Sequence, residues 1–263
     1  MPDDSVTFDR AADYYDETRG FPPGEEKNAA ALICRAGNLT SASRVLEVGV
    51  GTGRIALPLA PCVRAVFGVD LSRPMMARLQ ARRSGEAVHP VQAGATQLPF
   101  PGNVFDAAVA VHVFHLIPAW RDAVRELARV LRPGGLLLTG YSGTGFRVLR
   151  EAFIAALPPE HRGSVGVGTE EFAAFLTGEG WQPTGGPFTH RYTYHRSPGE
   201  YVDLLRRRVW SRTWRLTDEE LEQGIAAVRA AIARHYGDPR RPAHLAAEFR
   251  LWAYRPPSPA PSV

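Results

Sequence analysis

The stretch Arg44-Val-Leu-Glu-Val-Gly-Val-Gly-Thr-Gly-Arg-Ile-Ala-Leu-Pro-Leu-Ala60 decides the fold of this chain. An apolar strand, predicted over Arg44–Val48, leads directly into glycines at positions 49, 51 and 53 and then into a predicted helix over 53–60. Glycine has no Cβ and accepts positive φ angles, so the backbone can turn sharply and a ligand can come close to it. The pattern therefore predicts a strand that ends in a bare ligand-binding loop.

Two carboxylates accompany this loop. Glu47 precedes the first glycine, and Asp70 ends a second apolar run that begins at Ala65. The G-x-G-x-G spacing differs from the G-x-G-x-x-G of dinucleotide sites, and Glu47 would attract an ammonium group and repel a phosphate. A carboxylate at the end of a neighbouring strand is typical of ribose binding. Two structural alternatives remain, an ordinary tight strand-to-helix turn and, for Asp70, a helix N-cap near Ser72.

Further sequence blocks follow this loop in order. With it they resemble the class I S-adenosylmethionine-dependent methyltransferases, most closely the small-molecule branch that includes the ubiquinone/menaquinone-type C-methyltransferases. Five blocks in family order are far more specific than a glycine-rich loop alone. The matching blocks are Val45–Gly53, Gly68–Ser72 with Met75, Leu98–Phe100, Phe105–Asp106 and Ala128–Gly135.

The resemblance implies S-adenosylmethionine as the cofactor. The three glycines would lie against its methionine and ribose parts, Glu47 would hold its amino group through the loop or water, and Asp70 would accept hydrogen bonds from both ribose hydroxyls. Relatives usually carry an adenine-binding aspartate where this chain has Gly94, so that contact would come from the backbone, Thr96, Gln97 or water. The cofactor-binding residues predicted in this way are Glu47, Gly49, Gly51, Gly53, Asp70, Leu71, Met75, Ala95, Thr96, His112, Tyr15 and Arg19, with Leu71 and Met75 around the adenine.

His112 and His115 are the candidate catalytic residues. They follow a predicted strand over 106–111, at the edge where open α/β sheets place their sites. Methyl transfer from a sulfonium is an in-line displacement that needs alignment in a dry pocket, without a metal or a covalent nucleophile. A neutral imidazole can orient or deprotonate the acceptor, although a packing role is the alternative for both histidines. Tyr14, Tyr15 and Arg19 are predicted to close the entrance, with the arginine on the cofactor carboxylate.

The spacing of apolar residues predicts the architecture. From position 44 onwards strands and helices alternate, which is typical of a parallel sheet with helices on both faces. We expect an α/β fold, a doubly wound, mostly parallel seven-stranded sheet of the Rossmann-like methyltransferase type with helical lid elements. A single domain is expected over 1–263, with an N-terminal helical lid at 1–36, a cofactor-binding core at 44–140, a helical insertion over the acceptor site at 195–240 and a flexible tail at 255–263.

Composition narrows the class of protein. The 263 residues carry a net charge of +4 and a pI near 9.3, a modest and scattered excess that disfavours a nucleic-acid partner. Cys34 and Cys62 have no C-x-x-C spacing and no neighbouring histidine cluster, so no disulfide framework or metal site is expected. The sequence shows neither a long uninterrupted apolar run nor a signal-peptide pattern at its start. We expect a cytoplasmic enzyme that acts on a small-molecule methyl acceptor.

Two other functions stay open. One is a nucleic-acid base methyltransferase, although the chain reads His112-Val113-Phe114-His115 where adenine-N6 enzymes carry Asn/Asp-Pro-Pro-Tyr/Phe. Cytosine-C5 enzymes need a Pro-Cys on a catalytic loop, whereas Pro61-Cys62 lies beside the predicted cofactor helix. The other is a non-catalytic cofactor-binding protein, because a fold does not by itself imply turnover. Aromatic residues late in the chain either line an acceptor pocket or form the core beneath a lid; they are Phe153, Tyr192, Tyr194, Tyr201, Trp210 and Trp214.

Overall fold

The computed structural model describes residues 5–19, 21–143, 145–163 and 166–257. The strands are β1 (Arg44–Val48), β2 (Ala65–Asp70), β3 (Val88–Gln92), β4 (Phe105–Val111), β5 (Leu131–Ser142), β6 (Gln182–Arg196) and β7 (Ala243–Arg255). The α-helices are α1 (Tyr15–Arg19), α2 (Glu25–Ala36), α3 (Ala56–Leu59), α4 (Arg73–Arg82), α5 (Trp120–Val130), α6 (Arg147–Ala156), α7 (Pro159–Arg162), α8 (Thr169–Gly178), α9 (Pro198–Arg206) and α10 (Asp218–His235).

The strands form one seven-stranded sheet in the order β3-β2-β1-β4-β5-β7-β6. The pairs from β3 to β5 are parallel, and β7 runs antiparallel between β5 and β6. The predicted α/β class and the mostly parallel seven-stranded sheet are confirmed. Parallel strands need crossover connections, which here contain α3, α4 and α5, whereas the connection from β3 to β4 has no helix.

Both faces of the sheet are buried under helices. Along β4, Ala107 and Val109 face one core, formed with α2, α3 and α4, whereas Ala108 and Ala110 face the other, formed with α5 and α8. Successive side chains of a strand point to opposite faces, so a strand covered on both sides is apolar throughout. This explains the continuous apolar run at the end of β4.

A third apolar cluster lies beyond the sheet. It joins α9 and α10, which lie between β6 and β7, to α6, which follows β5. Two capping boxes define where these helices begin, with Ser197 and Glu200 at α9 and Thr217 and Glu220 at α10. Each box satisfies two backbone N–H groups that a helix start leaves unpaired. None of the helices in the described ranges combines the length and the apolarity needed to cross a bilayer.

Several element boundaries differ from the sequence prediction. The helix predicted over 53–60 is a single turn, α3, which contains Pro58 and continues into a 3₁₀ turn at Ala60–Cys62. The N-terminal helix is divided into a 3₁₀ turn, Asp9–Ala11, and the short α1. Of the predicted flexible tail at 255–263, Arg255 ends β7 and residues 258–263 lie outside the described part.

Candidate functional site

The candidate site lies where the strand order reverses. The chain passes from β1 to β2 and β3 on one side, then returns to β4 on the other side of β1. The loops after β1 and β4 therefore diverge and leave a crevice at the carboxyl edge of the sheet, the usual ligand position in open α/β folds. The glycine loop, Asp70 and His112 all meet at this edge.

The loop after β1 needs glycine for two separate reasons. Gly49, Gly51 and Gly53 have φ angles of 73°, 50° and 79°, in the left-handed region that favours glycine. A Cβ on Gly49 would overlap Val113 Cγ2, and one on Gly51 would come within 3.2 Å of Met75 Cε. Gly53 faces the apolar core, because its Cβ would lie 2.9 Å from Leu79 Cγ. The first two glycines therefore shape the crevice, and the third packs the loop on α4.

Asp70 is tied to this loop by two backbone amides. Its Oδ2 accepts a hydrogen bond from Gly51 N at 2.8 Å and its Oδ1 accepts one from Ser72 N at 2.8 Å. The N-cap of α4 is Ser72, whose Oγ accepts from Met75 N at 3.2 Å. Burial raises the pKa of Asp70, and the amides of Ser72 and Gly51 oppose this rise. Each carboxylate oxygen can accept a second donor, so the side chain is held rigidly with capacity for two ligand hydroxyls.

Glu47 lies beneath the loop and does not line the cavity. Its side chain is almost fully buried, and Oε2 has no hydrogen-bond partner. Burial raises the pKa of Glu47 well above its usual range, although the nearby Arg54 charge opposes the rise. The loop therefore separates Glu47 from the cavity, and its predicted contact with the cofactor amino group, made through the loop or water, stays a prediction.

A cavity of about 640 Å³ opens above the loop. Its volume lies within the usual range of small-molecule sites, and it combines apolar walls with a few polar groups. Of the predicted cofactor residues, Glu47, Gly53 and Thr96 do not line it. Those that do are Gly49, Gly51, Asp70, Leu71, Met75, Ala95, His112, Tyr15 and Arg19, together with the second predicted catalytic residue, His115.

The backbone of His112 lies in the left-handed region, and one of its ring nitrogens already has a hydrogen-bond partner. It adopts a φ of 56°, uncommon for a residue with a side chain, and its Nε2 accepts a hydrogen bond from Ser142 N at 2.7 Å. Burial lowers the pKa of His112 well below its usual value, and Arg54 lowers it further. The neutral ring therefore carries its proton on Nδ1 and can only donate from there. The predicted role of His112 as a base does not fit this arrangement.

His115 keeps an unused ring nitrogen. Its Nδ1 is buried and has no hydrogen-bond partner. Burial lowers the pKa of His115 to about 4, and the charges of Arg19 and Arg212 act in the same direction. The imidazole is therefore neutral at physiological pH, next to the cavity, with one nitrogen available to a ligand.

Three arginines add positive charge to the cavity wall: Arg19, Arg54 and Arg196, the last with its guanidinium carbon 5.7 Å from the Tyr194 ring centre. Arg19 Nη2 donates to Val209 O at 2.9 Å, and the Arg19 guanidinium carbon lies 5.9 Å from the Trp210 ring centre. Arg54 donates to the carbonyl oxygen of Arg19 and lies over the rings of Tyr15 and Phe21. Arg54 was not among the residues predicted from the sequence. Its position directly after the last loop glycine was a signal that could have indicated it.

The late aromatic residues divide between the two roles left open by the sequence. Tyr192, Tyr194 and Trp210 line the cavity, although Tyr194 and Trp210 also pack against the cluster of α6, α9 and α10, to which Phe153 and Tyr201 belong. Trp214 packs against Phe8, with ring centres 5.0 Å apart. Tyr14, predicted at the entrance, is not among the cavity residues. The cavity thus has aromatic walls contributed by both β6 and the segment after α9.

Comparison with known proteins agrees with this geometry. Residues 46–139 match the family model described as a methyltransferase domain. An uncharacterized methyltransferase of Geobacillus kaustophilus, GK2543, is 31% identical over 154 residues, which cover 57% of this chain and 67% of the relative. A phosphatidylethanolamine N-methyltransferase of Cereibacter sphaeroides is 43% identical over 113 residues, covering 41% of this chain and 52% of the relative.

A third relative is known in both sequence and structure. The uncharacterized methyltransferase YcgJ of Bacillus subtilis is 34% identical over 134 residues, covering 50% of this chain and 52% of that protein. Its crystal structure superposes with a TM-score of 0.59 at 20% identity, covering 86% of this chain and 97% of the YcgJ chain. The aligned regions span about half the length of YcgJ and of the Cereibacter enzyme. The glycine loop, the Asp70 carboxylate and these relatives together show that the chain belongs to the class I S-adenosylmethionine-dependent methyltransferases.

Proposed function

We propose that this protein binds S-adenosylmethionine and transfers its methyl group to a small-molecule acceptor. The observation that carries the proposal is the Asp70 carboxylate, held by the amides of Gly51 and Ser72 at the wall of the cavity. Two fixed acceptor oxygens beside a loop that approaches the ligand without side chains suit a ribose with two adjacent hydroxyls. When bound, the cofactor supplies an activated methyl group on a sulfonium.

The residues around Asp70 fit the rest of such a ligand. Leu71, Met75 and Ala95 form an apolar wall suited to an adenine ring, next to the oxygens that would bind the ribose. Thr96 lies outside the cavity lining, so the adenine amino group would be bound by backbone groups or water. At the opposite end, Arg54 follows the loop directly and can bind the amino-acid carboxylate as a bidentate partner.

The two histidines would have different roles toward the acceptor. His112 would orient it by donating from Nδ1, because its Nε2 already accepts from Ser142 N. His115 would accept a proton from the acceptor, since its Nδ1 has no partner in the folded protein. A catalytic base with a pKa of about 4 is weak, which suits an acceptor whose proton becomes acidic as the methyl bond forms. Alignment in a closed cavity supplies the remaining rate enhancement.

We propose that the flanking segments act as lids, as the sequence suggested. Tyr15 and Arg19, within the predicted lid at 1–36, line the cavity, and so does Trp210 within the predicted insertion at 195–240. Binding would draw these segments together through a ligand that contacts both, and would exclude water from the reacting groups.

We propose that the methyl acceptor is a small molecule. The Cereibacter relative is named for such an acceptor, because it is a phosphatidylethanolamine N-methyltransferase. The cavity supports this proposal because its walls come from residues of the lids and the sheet edge and enclose about 640 Å³. Such a volume holds a cofactor together with part of an acceptor of moderate size.

Isothermal titration calorimetry with S-adenosylmethionine tests the cofactor part of the proposal. We expect Asp70→Asn to weaken binding about tenfold or more, because charge-assisted hydrogen bonds are worth about 1.5–3 kcal/mol. Asp106→Asn is the matched control, since Asp106 also accepts a backbone amide, Arg44 N at 2.7 Å, and does not line the cavity. Equal affinities of the native protein and Asp70→Asn would contradict the ribose assignment.

Transfer of a labelled methyl group tests catalysis. The native protein is incubated with methyl-labelled S-adenosylmethionine and either a panel of small amphiphilic acceptors or bulk RNA. Label in small molecules supports the proposal, and label in RNA only would replace it with a nucleic-acid function. Cofactor binding without transfer to any acceptor would favour a non-catalytic binding protein.

A further inference from the structure

The cavity wall holds more positive charge than the cofactor requires. In the part of the chain that the structure describes, neither Arg19 nor Arg54 forms a salt bridge with a carboxylate. Arg19 meets a carbonyl oxygen, Val209 O, and its Nε is buried without a partner. Arg54 likewise meets a carbonyl oxygen and two aromatic rings.

The acidic residues at the cavity do not neutralise these arginines. Asp16 is engaged elsewhere, with Arg82 at 3.0 Å and with the Thr52 hydroxyl at 2.6 Å. Asp70 is held by loop amides, and Glu17 is exposed to solvent. An unpaired cation in a desolvated site is costly, and burial accordingly lowers the pKa of Arg19 to about 10. Arg54 and Arg196 add two further cations to the same cavity, which indicates more than one anionic ligand group.

Arg19 and Arg54 are adjacent, since Arg54 donates to the Arg19 carbonyl oxygen, but their guanidinium groups have different neighbours. Arg54 follows Gly53 in the cofactor loop and lies over Tyr15 and Phe21. Arg19 instead lies beside Val209 and Trp210, in the segment after α9, and its charge acts on His115. The cofactor has one carboxylate, and Arg54 is placed to bind it. Arg19 is then left for a second anion.

We propose, on the basis of the function proposed above, that Arg19 binds an anionic group of the methyl acceptor and that Trp210 packs against the apolar body of that acceptor. The acceptor class is therefore an anionic amphiphile, a carboxylate or phosphate attached to an aromatic or aliphatic body. The guanidinium fork matches either anion bidentately, and the indole ring offers an apolar surface next to it. This assignment moves Arg19 from the predicted cofactor set to acceptor recognition.

The neighbours of Arg19 support the same assignment. His115, the residue proposed to take the acceptor proton, lies close enough for the Arg19 charge to lower its pKa. Tyr192 and Tyr194 of β6 complete an aromatic wall on the cavity. An acceptor anchored at Arg19 would thus have its apolar body between aromatic rings and its reacting atom near the two histidines.

The test measures ligand preference in protein saturated with S-adenosylhomocysteine. Calorimetry compares 4-phenylbutanoate and 4-phenylbutyl phosphate with the neutral 4-phenylbutanamide. We expect at least one of the two anions to bind about tenfold or more tightly than the amide, and the better anion identifies carboxylate or phosphate as the preferred group. Arg19→Gln should reduce this preference to within about twofold and leave the affinity for S-adenosylhomocysteine within about threefold.

Arg10→Gln is the matched control, because Arg10 also lies over a tryptophan, with its guanidinium carbon 5.2 Å from the Trp214 ring centre, but is exposed and outside the cavity. It should keep the full preference. Arg19→Lys, which keeps the charge, should keep part of the preference and guards against a folding defect in Arg19→Gln.

Equal binding of anions and amide by the native protein, or no binding of either, would overturn the proposal. So would an Arg19→Gln variant that loses S-adenosylhomocysteine affinity tenfold while keeping the anion preference, because Arg19 would then serve the cofactor. The function proposed above fails separately, if the native protein does not bind S-adenosylhomocysteine or S-adenosylmethionine at all.

Discussion

The native protein should become less stable in mild acid because of His115, and the His115→Asn variant should not show this contribution. The Nδ1 of His115 is buried without a partner, and burial together with Arg19 and Arg212 lowers its pKa from 6.5 to about 4. Asparagine places a neutral polar group near the same position but does not titrate. The variant therefore isolates the protonation of one buried side chain.

The sign and size of the effect follow from this pKa difference. Above pH 6.5 the imidazole is neutral in both the folded and the unfolded chain and contributes no pH dependence. Between pH 6.5 and about 4 the unfolded chain binds a proton that the folded protein does not, so the free energy of unfolding falls as the pH falls. At about 1.36 kcal/mol per pKa unit, the full interval corresponds to roughly 3 kcal/mol, reached near pH 4.

Urea unfolding followed by tryptophan fluorescence measures this contribution at several pH values from about 7 down to about 4. Carboxyl groups titrate in both proteins, so their effects cancel in the difference between the two free energies of unfolding. We expect that difference to shift by roughly 3 kcal/mol in favour of His115→Asn. His89→Asn, at an exposed histidine of β3, should give no such shift. Parallel curves for His115→Asn and the native protein would refute the buried neutral imidazole.

Three further substitutions test local geometry. Gly49→Ala should prevent S-adenosylmethionine binding and lower the melting temperature strongly, because the new Cβ would overlap Val113 Cγ2 at a φ of 73°. Gly134→Ala, at a φ of 82° with no atom within 4 Å, should cost only the left-handed strain of about 1–2 kcal/mol, so equal melting temperatures of the two variants would contradict the steric argument. Thr217→Ala should lower the free energy of unfolding by about 1 kcal/mol, because Thr217 Oγ1 accepts from Glu220 N at 3.2 Å in the capping box of α10. An unchanged urea midpoint would argue against the cap.

The elements of the sheet were predictable because their signals are local. The limits predicted for β1 and for the apolar run that became β2 coincide with those in the structure. Apolar periodicity along a few residues reflects which face of an element is buried, and glycine at a positive φ reflects the shape of one turn. The loop after β1 and the carboxylate of Asp70 were identified for the same reason, since each follows directly from a strand.

The sequence by itself therefore determined the sheet, the loop and the family, whereas the tertiary structure decided the protonation and the partners of the site residues. His112 lost its predicted role as a base because Ser142 N, 30 residues away, donates to its Nε2. Arg19 meets Val209 O across 190 residues, and burial beneath the loop raises the pKa of Glu47. Desolvation and charge pairing depend on groups that folding brings together from distant positions, and no local spacing encodes those distances.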